Sequence, residues 1–289
     1  MSIKKSELIL NSDGSIYHLH LKPSDISDTL IFVGDQERVS AVTKHFDSID
    51  FETQSREFKT QTGTYKGKRL SVISTGIGSD NIDIVINELD ALVNIDFQSR
   101  EIKKNKTSLS IIRIGTSGAL QSDIDIDRFV LSRYAMDING MLQSYKVDNI
   151  KHEAIEKAFV KHSNWSPKKP YPVVVEGSKK LESLLESDQT IKGMTATCGG
   201  FYGPQGRVLR LELQDDSLNQ KLDSFYYNGL KVTNFEMETS AIYGLSKLLG
   251  HQACSMNAIL ANRALGTFSK NPQETINKLI IYTLNKLIS

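Results

Sequence analysis

An α/β fold, with a largely parallel or mixed sheet under a cover of helices, is what this sequence predicts. Two observations carry the prediction. Short β-rich runs alternate with longer amphipathic stretches along most of the chain, and the glycine-rich and polar motifs fall where those runs end. A third observation sets the domain count: the 289 residues contain no repeat, no low-complexity tract and no linker, so one domain over 1–289 is expected.

The elements follow in order. LIFVG at 30–34 reads as a buried strand and ERVSAVTKHF as the helix after it; RLSVIST at 69–75 is the next strand. In the run from Asp80, Ile82, Val85, Ile86, Leu89, Leu92 and Val93 recur at helical spacing, and Ser79 or Asp80 can cap the start. SLSIIRIGT at 108–116 is a strand interrupted by one arginine. YPVVVEG at 171–177, IKGMTAT at 191–197 and LKVTNFE at 230–236 continue the strands, with helices near 178–187 and 215–227 between them. ETSAIYGLSKLLG reads as a helix stopped by Gly250, CSMNAILANR at 254–263 as a last buried strand, and NPQETINKLIIYTLNKLIS as a closing helix. Residues 136–172, with the segment SPKKPYP and a weak helix around 149–161, read as a less regular surface excursion.

Composition excludes several classes. Lys and Arg (35) nearly cancel Asp and Glu (34), so the overall positive field that sequence-independent nucleic-acid binding draws on is missing, and any anion site is local. Cys198 and Cys254 are too few for a disulfide framework and have no metal-ligand spacing, which points to a reducing, cytoplasmic setting and to two small core residues. The apolar trio LIL at 8–10 is too short for a signal peptide, and no run approaches the roughly 18 apolar residues of a membrane span.

Four polar spots follow strands: Gly34 to Arg38, Ser74 to Gly78, Arg113 to Gly118, and Glu236-Met237-Glu238. Loops at the carboxyl ends of strands are where α/β sheets bind ligands, so four such spots suggest one composite site. Arg38 lies one turn into a helix, where it either reaches back to an anion or is a surface arginine. Arg113 sits inside an apolar strand and needs either a ligand or a salt-bridge partner. Thr116 and Gly118 add a hydroxyl and open backbone N–H groups. TGIG at 75–78 lacks the lysine of a P-loop, and its plain reading is a strand-to-helix turn. Glu236 and Glu238 either favour a helix N-terminus through its dipole or accept the hydroxyls of a diol.

With these residues assembled, the chain resembles the nucleoside phosphorylases of the uridine phosphorylase type, from YHLHL at 17–21 to the final helix and most weakly across 136–172. The motifs that carry the likeness are GDQERV at 34–39, SREF at 55–58, STGIG at 74–78, RIGTSGA at 113–119, FYGPQGR at 201–207, FEMETSA at 235–241 and ILANR at 259–263. The resemblance implies a three-layer α/β/α sandwich around a mixed, partly barrel-like sheet. It implies cleavage of uridine by phosphate to uracil and ribose 1-phosphate, with phosphate as co-substrate and no cofactor or catalytic metal. Gly34, Arg38, Arg113 and Thr116 would bind phosphate, with Arg56 from a neighbouring subunit. Thr116, Met237 and Glu238 would hold the ribose, with His18 from the partner chain, and Phe201, Gln205, Arg207 and Glu236 would face the base. Arg113, Gln205 and Arg207 would be the catalytic set. A homodimer, or a larger assembly of dimers, is implied too. Gln36 stands where the family motif has proline, and Ser79-Asp80-Asn81 replaces a small-residue run that, near Glu57, can hold a monovalent cation in relatives. The alternatives are a purine nucleoside phosphorylase of the same fold, whose late strand-end loop would carry an aspartate where Leu260 and Ala261 stand, and a non-catalytic nucleoside-binding protein.

Overall fold

Strand β1 (Thr29–Val33) shows why the sheet needs a cover on both faces. Its side chains alternate, Leu30 and Phe32 entering one apolar cluster while Ile31 and Val33 enter another. The computed structural model describes residues 2–289. After β1 come α1 (Gln36–Thr43), a hairpin of β2 (Ser48–Ser55) and β3 (Phe58–Tyr65), then β4 (Lys68–Ser74) and α2 (Ser79–Asn94). The short pair β5 (Ile95–Asp96) and β6 (Glu101–Ile102) precedes β7 (Ser110–Ala119), β8 (Phe129–Asp137), α3 (Glu153–Ser163), β9 (Val173–Glu176) and α4 (Lys179–Leu185). The chain continues through β10 (Thr190–Thr197), α5 (Leu218–Asp223), β11 (Tyr226–Tyr227), β12 (Leu230–Glu236) and α6 (Thr239–Leu249) to β13 (Gln252–Asn262), β14 (Thr267–Phe268) and α7 (Pro272–Leu287).

Helices α2 and α6 cover one face of the sheet and α1, α4 and α7 the other, which gives the three layers. α2 forms although three of its buried residues, Ile82, Val85 and Ile86, are β-branched. Burying each such side chain is worth about 1.5–3 kcal/mol, against a few tenths lost to β-branching in a helix. Its start is capped differently from the expectation: Gly78, at φ 97°, is the cap residue, and Ser79 instead donates from its hydroxyl to the Met237 carbonyl at 3.1 Å. α6 ends as the sequence predicts, at Gly250 with φ 83°.

The strands run β11-β12-β10-β8-β13-β7-β1-β4-β3-β2, and β12 pairs again with β7. That second pairing, Asn234 with Ala119 and Phe235 with Gly118, closes β12, β10, β8, β13 and β7 into a five-stranded ring. Parallel pairs join β1 to β4 and β7, β10 to β8 and β12, and β13 to β7, while β13–β8 and β12–β7 are antiparallel, so the sheet is mixed. Register shifts at Gly193/Met194, Met194/Thr195 and Ile259/Ala261 fall on ring strands, as bulges do where a sheet curls.

Residues 136–172 join this frame more closely than their sequence suggests. Leu142, Val147 and Ile150 are buried in the cluster under α6, and Leu142 packs on Gly244, where an added Cβ would lie 2.4 Å from Leu142 Cδ2. Phe159 of α3 is fully buried beside Trp165 and Phe225. Cys198 and Cys254 are buried thiols. No helix among the described residues is long and apolar enough to cross a membrane.

Candidate active site

Arg113 and Gly115 are two apart on β7 and so share a face. The arginine side chain lies along the strand over the glycine: a Cβ at 115 would sit 1.7 Å from Arg113 Nη1. The missing side chain is what lets a guanidinium lie flat against its own strand. There Arg113, 8% exposed, donates to Asn257 Oδ1 at 2.9 Å and to Glu238 Oε2 at 2.5 Å, with Glu236 Oε2 at 3.5 Å. Burial works against its charge, but Glu238 and Glu236 outweigh this and raise its pKa above the usual arginine value.

The two glutamates divide the tasks that the sequence left open. Glu236 serves the start of α6: it accepts from the backbone N–H groups of Glu238 and Thr239 at 2.9 and 2.8 Å, and from the Thr197 hydroxyl at 2.7 Å. Burial raises its pKa, with Arg113 pulling the other way and Glu238 adding to the rise. Glu238 turns toward the cavity, accepting from Gly78 N–H at 2.7 Å as well as from Arg113. The TGIG turn is therefore a support for Glu238.

Around this cluster the ends of β1, β4, β7 and β12 enclose a cavity of about 800 Å³, whose wall includes Gly34, Arg38, Arg113, Thr116, Met237 and Glu238. Asp35 caps α1, accepting from Arg38 N–H at 2.7 Å, and its other oxygen lies 2.9 Å from Arg38 Nη2. Burial, then the like charge of Arg113 against the opposing pull of Asp35, leaves the Arg38 pKa below the usual arginine value. Two guanidinium groups thus converge at the β1–β7 end.

The opposite end is walled by the loop after β10. Gln205, 3% exposed, sits in a short turn closed by Gly206 at φ 68°. Arg207 donates to Gln205 Oε1 and to the Phe201 carbonyl, both at 2.6 Å, and its guanidinium lies 3.8 Å from the centre of the Phe201 ring. One carboxamide oxygen is thereby engaged, and the Gln205 nitrogen is left to donate. Leu260 and Ala261 face the same cavity, and the register shift in β13 takes Leu260 out of the ladder.

Gly34, Arg38, Arg113, Thr116, Phe201, Gln205, Arg207, Glu236, Met237 and Glu238 all line this one cavity, and Glu57 reaches its rim beside Gly76. His18 and Arg56 do not line the cavity of their own chain. They stand together at the surface, His18 on Glu88 at 2.6 Å and the Arg56 guanidinium 5.9 Å from the Tyr17 ring. The sequence reading gave Arg263 no role. It is held over the Phe235 ring at 5.3 Å, and burial with the like charge of Arg207 brings its pKa down to about 10. Its position at the end of the apolar run ILANR was the signal, the same pattern that marked Arg113.

The Phosphorylase superfamily profile matches residues 28–281. A uridine phosphorylase of Thermococcus kodakarensis is 30% identical over 269 residues, covering 89% of this chain and 81% of that one. A DeoD-type purine nucleoside phosphorylase of Listeria monocytogenes is 25% identical over 274 residues, 94% of this chain and 98% of its own. Among solved structures, a Trypanosoma brucei nucleoside phosphorylase that shows uridine phosphorylase activity superposes with a TM-score of 0.87 at 28% identity, covering 97% of this chain and 99% of that one. The fold is shared as well by a Vibrio fischeri uridine phosphorylase, at a TM-score of 0.68 and 20% identity over 94% of this chain and 95% of the other. The match over nearly the whole chain, with the motif residues gathered on one cavity, means that this chain belongs to the phosphorylase superfamily, among its nucleoside phosphorylases of the uridine phosphorylase type.

Proposed function

We propose that the chain cleaves uridine with inorganic phosphate, giving uracil and ribose 1-phosphate. One observation carries the reading: a single cavity has paired arginines at one end, a Gln–Arg clamp at the other and a carboxylate between them. In this reading phosphate lies on Gly34, Arg38, Arg113 and Thr116, the ribose diol on Glu238 with Met237 against the sugar, and the pyrimidine between Phe201, Gln205 and Arg207. A phosphate oxygen forms the new bond to the anomeric carbon as the bond from that carbon to the base nitrogen breaks. The bonding pair leaves with the base. Positive charge grows on the sugar next to the phosphate, and the departing uracil anion meets the donors of Gln205 and Arg207. Glu236, bonded to the α6 amides and beside Arg113, holds the start of α6 and with it Glu238 in place.

Without substrate, Arg113 is bonded to Glu238. Phosphate and ribose each claim one member of that pair, so both substrates together replace the bond they break. The family resemblance supports a shared site in a homodimer or larger assembly, completed by His18 and Arg56 of a neighbour, in a cytoplasmic enzyme.

The test is turnover of uridine and inosine side by side, with and without phosphate. Uracil release that requires phosphate, with inosine the poorer substrate, is expected, because Leu260 and Ala261 offer a purine N7 no proton. Inosine as the better substrate would overturn the pyrimidine assignment.

A further inference from the structure

After Arg207 the chain leaves the cavity wall through Val208, Leu209 and Leu211, all exposed, and returns on α5. The first turn of that helix brings Asn219 against the turn that carries Gln205. With its carboxamide oriented so that both ends are matched, Asn219 donates to the Gln205 carbonyl at 3.2 Å and accepts from Arg263 Nη2 at 3.1 Å. The contact is close, for a Cβ on Gly206 would lie less than 3 Å from both ends of the Asn219 carboxamide.

Two observations make this bridge more than packing. Arg207 hydrogen-bonds within its own turn, while Arg263 Nη1 is buried with no partner among the described residues. The like charge of Arg207 weighs on Arg263 at this half-buried wall, and repulsion between the two guanidinium groups would open the gap between the loop and the end of β13. The only hydrogen-bonded tie described between the two segments at this point is the neutral Asn219 carboxamide, fixed to the backbone of one and to the side chain of the other.

The geometry points to Asn219 as a positioning residue for base recognition: by tying the Gln205 carbonyl to the Arg263 guanidinium, it holds the Gln205–Arg207 pair at a set distance from the wall of Leu260 and Ala261. This rests on the reading of that loop as the base-facing wall. Asn219 itself touches neither base nor sugar.

The test compares wild type with Asn219→Ala and Asn219→Asp. The aspartate keeps the size and the contact to Arg263 but cannot donate to the Gln205 carbonyl, so it carries the test if the alanine variant folds poorly. In both variants kcat/KM for uridine should fall about tenfold, mainly through KM, as expected for losing a hydrogen bond that orders a binding wall. Uracil affinity measured by calorimetry should fall in parallel. The KM for phosphate and the unfolding midpoint should stay at their wild-type values. Variants that bind uracil and turn over uridine as wild type does would overturn the role of Asn219, as would a phosphate KM that rises in step with that for uridine. A wild-type chain that binds no uracil would overturn the reading of the loop on which the role rests.

Discussion

Arg113 joins the fold and the chemistry in one side chain. It neutralises two buried glutamates and also faces the end of the cavity where an anion is proposed to bind. Removing it should therefore harm both. Arg113→Ala leaves Glu236 and Glu238 without their cation, which is expected to cost about 3–5 kcal/mol in urea unfolding. Arg113→Lys returns the charge but replaces a planar fork by a single point. We expect it to recover most of that stability while phosphorolysis remains at least roughly tenfold down, with the loss in the KM for phosphate. An alanine variant as stable as wild type would show that the ion pair is not structural, and a lysine variant with normal kinetics would remove Arg113 from the phosphate site. The sequence made Arg113 conspicuous as a charge in an apolar strand. That Gly115 makes room for it emerges only from the close approach of the two.

At the scale of elements, the return segment before α5 depends on one carboxylate. Asp215 accepts from Ser217 Oγ at 2.8 Å, Lys221 Nζ at 3.0 Å and Lys169 Nζ at 3.2 Å. Burial alone would raise its pKa, but these three bonds outweigh it and bring the carboxyl down to about 2 from 3.8. A folded-state pKa below the unfolded one gives stability that is complete above the unfolded value and is lost as pH falls through the folded one. Asp215→Asn should therefore lower the unfolding midpoint at pH 7, and the gap from wild type should close as pH falls from about 4 toward 2. A gap that persists unchanged at low pH would mean that the charge contributes nothing. Elements with an apolar period, such as α2, β1, β7 and β13, were legible in the sequence, and so were the motif positions at their ends. The hairpin of β2 and β3 was not, because its pattern is polar: Thr62 and Ser71 share a buried hydrogen bond at 2.8 Å, and Gln61 accepts from Thr43 at 2.5 Å. A buried face satisfied by hydroxyls carries no hydrophobic signal. α5, expected over 215–227, spans only Leu218–Asp223, since the chain turns at Ser224 into β11.

At the scale of the whole molecule, Tyr17, His18 and Arg56 form a surface patch whose residues do not line the cavity of their own chain. Arg56 sits at the tip of the β2–β3 hairpin at φ 53°, a conformation that costs a non-glycine residue energy and that a hairpin tip imposes. If a neighbour's cavity receives it, Arg56→Ala and Arg38→Ala subunits, each inactive alone, should regain about a quarter of wild-type activity on equal mixing, because half the dimers are mixed and each has one intact site. Verified mixed dimers with no recovery would exclude donation between subunits.

The ring seam has a consequence in time. Asn234 and Phe235 meet Ala119 and Gly118 across more than a hundred residues of chain, and contacts so distant in sequence form late because loop closure must come first. Arg113 and Glu238 lie on the two strands, or just beyond them, that this seam joins. During refolding from urea, the far-UV signal of the helices should recover before phosphorolysis does; recovery of both with one rate constant would show that closure is not late. Newly made chains would then hold their secondary structure for an interval in which they have no working site, and the return of activity would time the closing of the ring.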